Sequence, residues 1–341
     1  MNRFEALMRR AALVLALLLT TACGGGEEEP RTPPAEPPRE IEVDASSTLY
    51  GFVGDTAGNP VEGVVVSDGF QCVATDAGGV YEMKRNAAAE YVYYSVPAEF
   101  KIRTGHDGYP DFYVRLDTSQ QKIRQDFTLE RLAGVERSFR LICIGDPQIN
   151  EASHAVRFKE EAGREIREYA ASAGVPCYGI TLGDHVNNKW TLFTNMVVAL
   201  QPEQTGVPVF ATIGNHDHEF PTADEKAARA KYESYFGPVD YSFNRGDVHV
   251  VSMDNVIHSS KASADYEGGF TAAQYAWLKQ DLSFVPKDKM VILCVHIPFR
   301  GGWGTNSAHA DADKYYDEVL DLLSQYEYAA IMSAHTHSNI N

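Results

Sequence analysis

Basic residues are scarce in this chain: 30 Lys and Arg stand against 47 Asp and Glu, a net charge of −17. That balance excludes a long nucleic-acid or anionic-membrane footprint, which needs a basic surface. A small phosphorylated partner stays open, because bound cations reverse a local field. Cysteine is scarce too, with 5 in 341 residues. No spacing among them forms a zinc site or a disulfide framework. Cys143, Cys177 and Cys294 lie in apolar, strand-like runs and are expected as buried free thiols, while Cys72 falls in the N-terminal part. The first apolar run, Ala11 to Leu19, is shorter than the roughly 20 residues a membrane-spanning helix needs. The length still allows two domains with a large core.

Arg3, Arg9 and Arg10 flank or precede that apolar run, which together reads as an export signal over residues 1–23. Thr20-Thr21-Ala22-Cys23 resembles a bacterial lipobox, with Leu19 one place ahead of its usual position. The resemblance implies export, lipidation of Cys23 and anchoring at the bacterial cell envelope by lipid alone. An ordinary cleaved signal with an incidental cysteine is the other reading. Residues 24–47 carry Gly24 to Gly26, Glu27 to Glu29 and several prolines. They are expected as a disordered linker. The acidic run also resembles a surface-export signal of outer-membrane lipoproteins; a solvated linker fits equally.

Residues 48–132 read as a small all-β sandwich. Leu49 to Val53 alternates, Val61 to Ser67 follows a turn, and Tyr91 to Val96, Phe112 to Leu116 and Gln125 to Leu129 are further strand candidates. The glycine and valine pattern around Gly51, Gly63, Asp68-Gly69 and Thr75-Asp76 resembles transthyretin-like, carboxypeptidase-regulatory modules. No residue set in it suggests chemistry.

From residue 138 to 341 the rhythm becomes strand, motif, helix. Phe139 to Ile144, Cys177 to Leu182 and Val207 to Ile213 are apolar strands, each ending in a Gly-polar turn. That is how α/β folds present side chains at strand carboxyl ends. Val156 to Ala171 and Trp190 to Leu200 are expected as helices, and Thr271 as the N-cap of a helix through Leu282. Later strands are expected at Tyr241 to Asn244, Val248 to Met253, Val291 to Val295 and Ala329 to Ser333.

The strand ends carry Asp146-Pro147-Gln148, Gly183-Asp184, Gly214-Asn215-His216-Asp217, His296 and His335-Thr336-His337. Carboxylates and imidazoles together suit first-row divalent metals. One carboxylate can bridge two cations about 3.5–4 Å apart that clamp a phosphate and activate water. Block by block, these residues resemble the calcineurin-like metallophosphoesterase superfamily over residues 139–341. The resemblance implies a four-layer αββα sandwich behind the β-sandwich, and a metal-dependent hydrolase of phosphomonoesters or phosphodiesters. It implies that Asp146, Gln148, Asp184 and His337 hold one metal, and that Asp184, Asn215, His296 and His335 hold the other. Asp184 would bridge, and His216 would meet the phosphoryl oxygens and protonate the leaving alkoxide, oriented by Asp217.

Two metal ions of the Mn, Fe or Zn kind fit these ligands, with identity open. Gln148 stands where many members carry His, so its metal is expected to be the weaker-held. Gly183-Asp184-His185-Val186-Asn187-Asn188 departs from the G-D-x-V-D-R-G form of the main Ser/Thr phosphoprotein phosphatases. Arg300 is a candidate phosphate contact, and Trp303 a candidate cleft residue. His185, His218, His249, His258 and His309 read as incidental. The substrate is expected to be a phosphorylated small molecule or an exported phosphorylated partner. The alternative is a non-catalytic surface binding protein that works through the β module. Only four residues follow His337, which leaves a C-terminally truncated domain as one reading.

Overall fold

The computed structural model describes residues 39–222, 224–259, 265–299 and 315–337. The export signal, Cys23 and most of the 24–47 linker lie outside the described residues, as do Arg300, Trp303 and His309. The described chain is mixed α/β with several sheets.

Its first part contains strands β1 (Leu49–Asp55), β2 (Val65–Ser67), β3 (Cys72–Ala74), β4 (Val80–Met83), β5 (Tyr91–Tyr94), β6 (Tyr113–Arg115), β7 (Ile123–Arg124) and β8 (Phe127–Leu129). β1 pairs antiparallel with β4 and parallel with β7 and β8. The second sheet runs β3-β2-β5-β6, all antiparallel. Leu49, Gly51 and Val53 of β1 face inward by the two-residue period of a strand. β3 and β7 are too short to leave a periodic signal and were not expected.

The rest opens with β9 (Arg140–Ile144) and helix α1 (Ala152–Phe158), which continues through a π turn at Lys159–Gly163 into α2 (Arg164–Ser172). β10 (Cys177–Leu182), a 3₁₀ turn at Trp190–Leu192, α3 (Phe193–Leu200), α4 (Pro202–Thr205) and β11 (Val209–Thr212) follow. Next come α5 (Glu225–Phe236), β12 (Tyr241–Arg245), β13 (Val248–Ser252), and a hairpin of β14 (Val256–His258) and β15 (Tyr266–Gly268). The last elements are α6 (Ala272–Ser283), β16 (Met290–Cys294), α7 (Tyr316–Leu323) and β17 (Tyr328–Met332).

β9, β10 and β11 form a parallel sheet with β10 in the centre. Every residue of β10 is buried, as a central parallel strand covered on both faces requires. A second sheet runs β12-β13-β16-β17, parallel except for the first pair. Phe210 of β11 stacks flat on Phe243 of β12 with centroids 4.0 Å apart, and Thr212 meets Ser252 at 2.9 Å. Thr271 and Gln274 form a reciprocal capping box at the start of α6. One thiol departs from expectation: Cys143 is exposed on β9, an edge strand, whereas Cys72, Cys177 and Cys294 are buried.

Polar contacts tie the first part to the rest. Tyr93 donates its hydroxyl to Asp240 O at 2.6 Å, and Trp277 donates its indole N–H to Ser67 Oγ at 3.0 Å. Arg245 is fully buried; its Nη1 donates to Phe100 O at 2.7 Å, and its guanidinium lies 5.0 Å from the Tyr178 ring centroid.

Candidate metal centre

The carboxyl ends of β9, β10 and β11 meet those of β16 and β17. Asp146 follows β9, Asp184 follows β10, Asn215 follows β11, His296 follows β16, and His335 and His337 follow β17. The loops are stitched to one another by backbone bonds. Gln148 N donates to Asp184 O at 2.7 Å, and Ala334 N donates to His296 O at 3.0 Å. His335 N reaches the Asp146 carboxylate at 3.1 Å.

Two glycines permit this packing. A Cβ on Gly183, whose φ is +94°, would lie 2.4 Å from His296 Nδ1. A Cβ on Gly214 would lie 2.3 Å from Asp184 N and Oδ1. No side chain fits either place, so the Gly-Asp and Gly-Asn pairs are steric requirements of the centre. The ligand candidates themselves carry strain. Asp146, Gln148, Asp184, His335 and His337 have φ of +47°, +37°, +55°, +68° and +52°. Non-glycine residues adopt such values at a cost of about 1–3 kcal/mol each, and they gather at functional sites.

His296 shows what the arrangement is built to hold. It is fully buried, and its Nδ1–H donates to Leu182 O at 2.7 Å. That bond leaves Nε2 facing Asp184 Oδ2 at 3.3 Å, Asn215 Oδ1 at 2.8 Å and His335 Nδ1 at 3.1 Å. Oxygens and ring nitrogens gathered this closely are satisfied either by a proton on Nε2 or by a cation among them. Two groups of ligand atoms, Asp184 with His296 and His335, and Asp146 with Asp184 and His337, each lie within 4.8 Å and share Asp184. His337 is the most exposed member, with Nε2 3.6 Å from Asp146 Oδ1. The donor set therefore fits a pair of metal ions around a shared carboxylate.

The electrostatics follow the same geometry. Burial acts to lift Asp184, but His296 and His216 override it and hold the carboxyl below its ordinary range. Burial pushes Asp146 up. Burial would lower His296, yet the Asp184 carboxylate raises it. Gln148 reaches the centre through its amide nitrogen, which donates to Asp184 Oδ2 at 2.8 Å. The expected ligation through its oxygen requires the amide to turn over.

His216 sits beside the shared carboxylate, with its backbone N–H donating to Asp184 Oδ1 at 2.8 Å. Its Nδ1 lies 3.0 Å from Asn188 Oδ1, and Trp190 holds its carbonyl at 3.2 Å. The expected pairing of His216 with Asp217 is corrected here. Asp217 is fully buried and accepts the N–H groups of His185, Val186 and Gly214, with His185 Nδ1 at 2.9 Å. Its carboxylate locks the Asp184 and Asn215 turns together and has no capacity left for His216. Asn188, which was not singled out, is the residue at His216. Its own φ of +54° was the only further mark, and that is invisible in a sequence.

Three of the five histidines read as incidental are paired. His185 joins Asp217 to Thr181, His249 bridges Asn244 and Asp281, and His218 bridges Gly214 O and Asp254.

Residues 139–339 match the family model described as calcineurin-like phosphoesterase. The chain belongs to the calcineurin-like phosphoesterase family. Residues 47–132 match a second model, described as the N terminal of calcineurin-like phosphoesterase. Among curated proteins, purple acid phosphatase 23 of Arabidopsis thaliana is 26% identical over 181 residues, covering 48% of this chain and 36% of that relative. Purple acid phosphatase 18 of the same plant is 25% identical over 171 residues, covering 47% and 36%. This member of the calcineurin-like family thus aligns with about a third of those relatives' length.

Proposed function

We propose that this chain hydrolyses phosphoester bonds with the help of two metal ions at the Asp184 centre. The observation that carries the reading is the pair of ligand groups sharing Asp184, with His216 held alongside. Asp146, Gln148, Asp184 and His337 would hold one ion. Asp184, Asn215, His296 and His335 would hold the other. When bound, such a pair neutralises phosphoryl charge and makes a nucleophile of water near neutral pH. The protein supplies the rest. Asn188 engages His216 Nδ1, which leaves Nε2 to meet the phosphoryl oxygens and to return a proton to the leaving alkoxide. Asp217 acts on the loops and not on the reacting atoms.

Family membership and the likeness to purple acid phosphatases support the same reaction class. Contact between β11 and β12 supports a four-layer stack of two sheets with helices outside. Strands β1 to β8 support a transthyretin-like sandwich over residues 48–132, ahead of a phosphoesterase domain over residues 138–341. The lipobox-like Cys23, behind a signal at 1–23 and before a linker at 24–47, supports an exported lipoprotein of the bacterial envelope. The partner is then a phosphorylated small molecule or exported substrate, with membrane contact through the lipid only and no long nucleic acid.

Hydrolysis of p-nitrophenyl phosphate and of its bis ester by the Mn²⁺-loaded chain tests the reaction and separates monoesterase from diesterase. Metal-dependent turnover of at least one is expected. Turnover of neither would overturn the reading and favour a binding role for the β module.

A further inference from the structure

Tyr266 begins β15, and its ring meets His335 edge to face with centroids 6.4 Å apart. It is held there from behind. Tyr266 lies 6.0 Å from Phe220 at 12°, and Phe220 lies 5.2 Å from the buried His218 at 3°. His258, opposite Tyr266 across the hairpin, covers Phe220 at 5.6 Å. The stack fixes an aromatic ring against the metal centre from an element that supplies none of the ligand candidates.

The carboxylate oxygens of the centre are already engaged. Asp184 Oδ1 takes the His216 N–H, Oδ2 takes the Gln148 amide, and Asp146 takes the His335 N–H. Tyr266 differs. Among the described residues, none forms a hydrogen bond with its hydroxyl. A phenol is a neutral donor through the ordinary working range. At a centre lined by Asp146 and Asp184, a donor that brings no negative charge is what a phosphoryl group needs beyond cations.

We propose that Tyr266 is a substrate-binding residue whose O–H donates to a non-bridging oxygen of the phosphoryl group seated at the Asp184 centre. The proposal rests on the phosphoester reading above and assigns this donor to the hairpin. No atom changes bonding partner in the step; the hydroxyl keeps its proton and orients the anion.

The test uses the full chain loaded with Mn²⁺, with metal content by mass spectrometry and inorganic phosphate binding by calorimetry. Tyr266→Phe retains the stack and removes only the donor. It should keep the wild-type metal content and bind phosphate about tenfold or more weakly, the scale of a hydrogen bond to a charged group. Tyr266→Leu should bind phosphate no better than Tyr266→Phe. Phosphate binding within twofold of wild type in Tyr266→Phe overturns the proposal, and so does loss of metal from that variant. Wild-type protein that holds metal yet binds no phosphate and turns over no ester defeats the phosphoester reading itself, a result distinct from a Tyr266→Phe variant that merely matches wild type.

Discussion

His296 and His218 are both fully buried, and both pin Nδ1 on a backbone carbonyl: Leu182 O at 2.7 Å and Gly214 O at 2.9 Å. Both turn Nε2 toward a carboxylate, Asp184 at 3.3 Å and Asp254 at 3.1 Å. They differ in what else arrives. Around His296 gather Asn215, His335 and, through Asp184, a second ligand group, on loops held at left-handed φ. Around His218 stand Glu225, at 3.6 Å, and the flat face of Phe220. Burial would lower His218, but Asp254 and Glu225 push it up to about 10. His218, Glu225 and Asp254 also bring ligand atoms within 4.8 Å of one another, but as a lone group, whereas the two groups beside His296 share Asp184. The same residue type with the same anchor joins two groups bridged by one carboxylate in one place and a single carboxylate-paired group in the other. What separates them is the number and strain of further donors.

The largest effect expected from breaking this contrast is at His296. His296→Ala should lose at least one bound metal and lower ester turnover by about a thousandfold or more, whereas His218→Gln should keep its metal content. Mass spectrometry of both variants decides; equal metal loss would erase the distinction.

The second effect is on stability. His218 has a folded pKa near 10 against an ordinary value of 6.5, so its contribution is whole below about 6.5 and is lost as pH rises through 10. Urea midpoints of wild type should fall across that window, by on the order of 4 kcal/mol in stability. His218→Gln should flatten the fall. Asp240 and Glu233, both raised to about 7 chiefly by burial, also favour low pH, but their change is complete near pH 7; the thiols of Cys72 and Cys294, pushed up by burial, add to the fall only above their ordinary value of 9.0, so the interval between belongs to His218. A pH profile of His218→Gln that parallels wild type above pH 7 would remove the imidazolium assignment.

The smallest effect is at Asn188. Asn188→Ala frees the His216 ring and should lower turnover about tenfold with metal content unchanged. Steady-state kinetics beside metal analysis checks it; unaltered kcat/KM would show that His216 is oriented by other means.

The sequence makes the five ligand blocks legible because each closes an apolar strand, and a Gly before Asp184 or Asn215 marks a place where no Cβ fits. The strands of the parallel sheet are legible for the same reason: β10 is an uninterrupted buried run. Adjacency in sequence misleads at Asp217. Successive side chains of a tight turn diverge, so the neighbour of His216 in the chain points to His185. Asn188 is unread because its role depends on a left-handed backbone, and Tyr266 because only the hairpin brings it to His335. Helix α5 carries Ala228, Tyr232 and Phe236 on one buried face at four-residue spacing, a period hidden by the charged residues between them. The paired histidines His185, His218 and His249 show that a residue outside the site is still engaged when it is buried.

Arg245 carries a consequence for the history of the chain. Among the described residues its guanidinium forms no salt bridge; its Nη1 donates to carbonyls of the first part, Phe100 above all. A copy of the gene that dropped residues before 139 would open Arg245 to water, and with it the apolar rings of Phe210 and Tyr241 that lie against Phe112. The phosphoesterase part is therefore not a cassette that recombination could move alone. It travels with its N-terminal partner, or only after the rings that pack on that partner, Phe210, Phe236 and Tyr241, have been exchanged for polar residues.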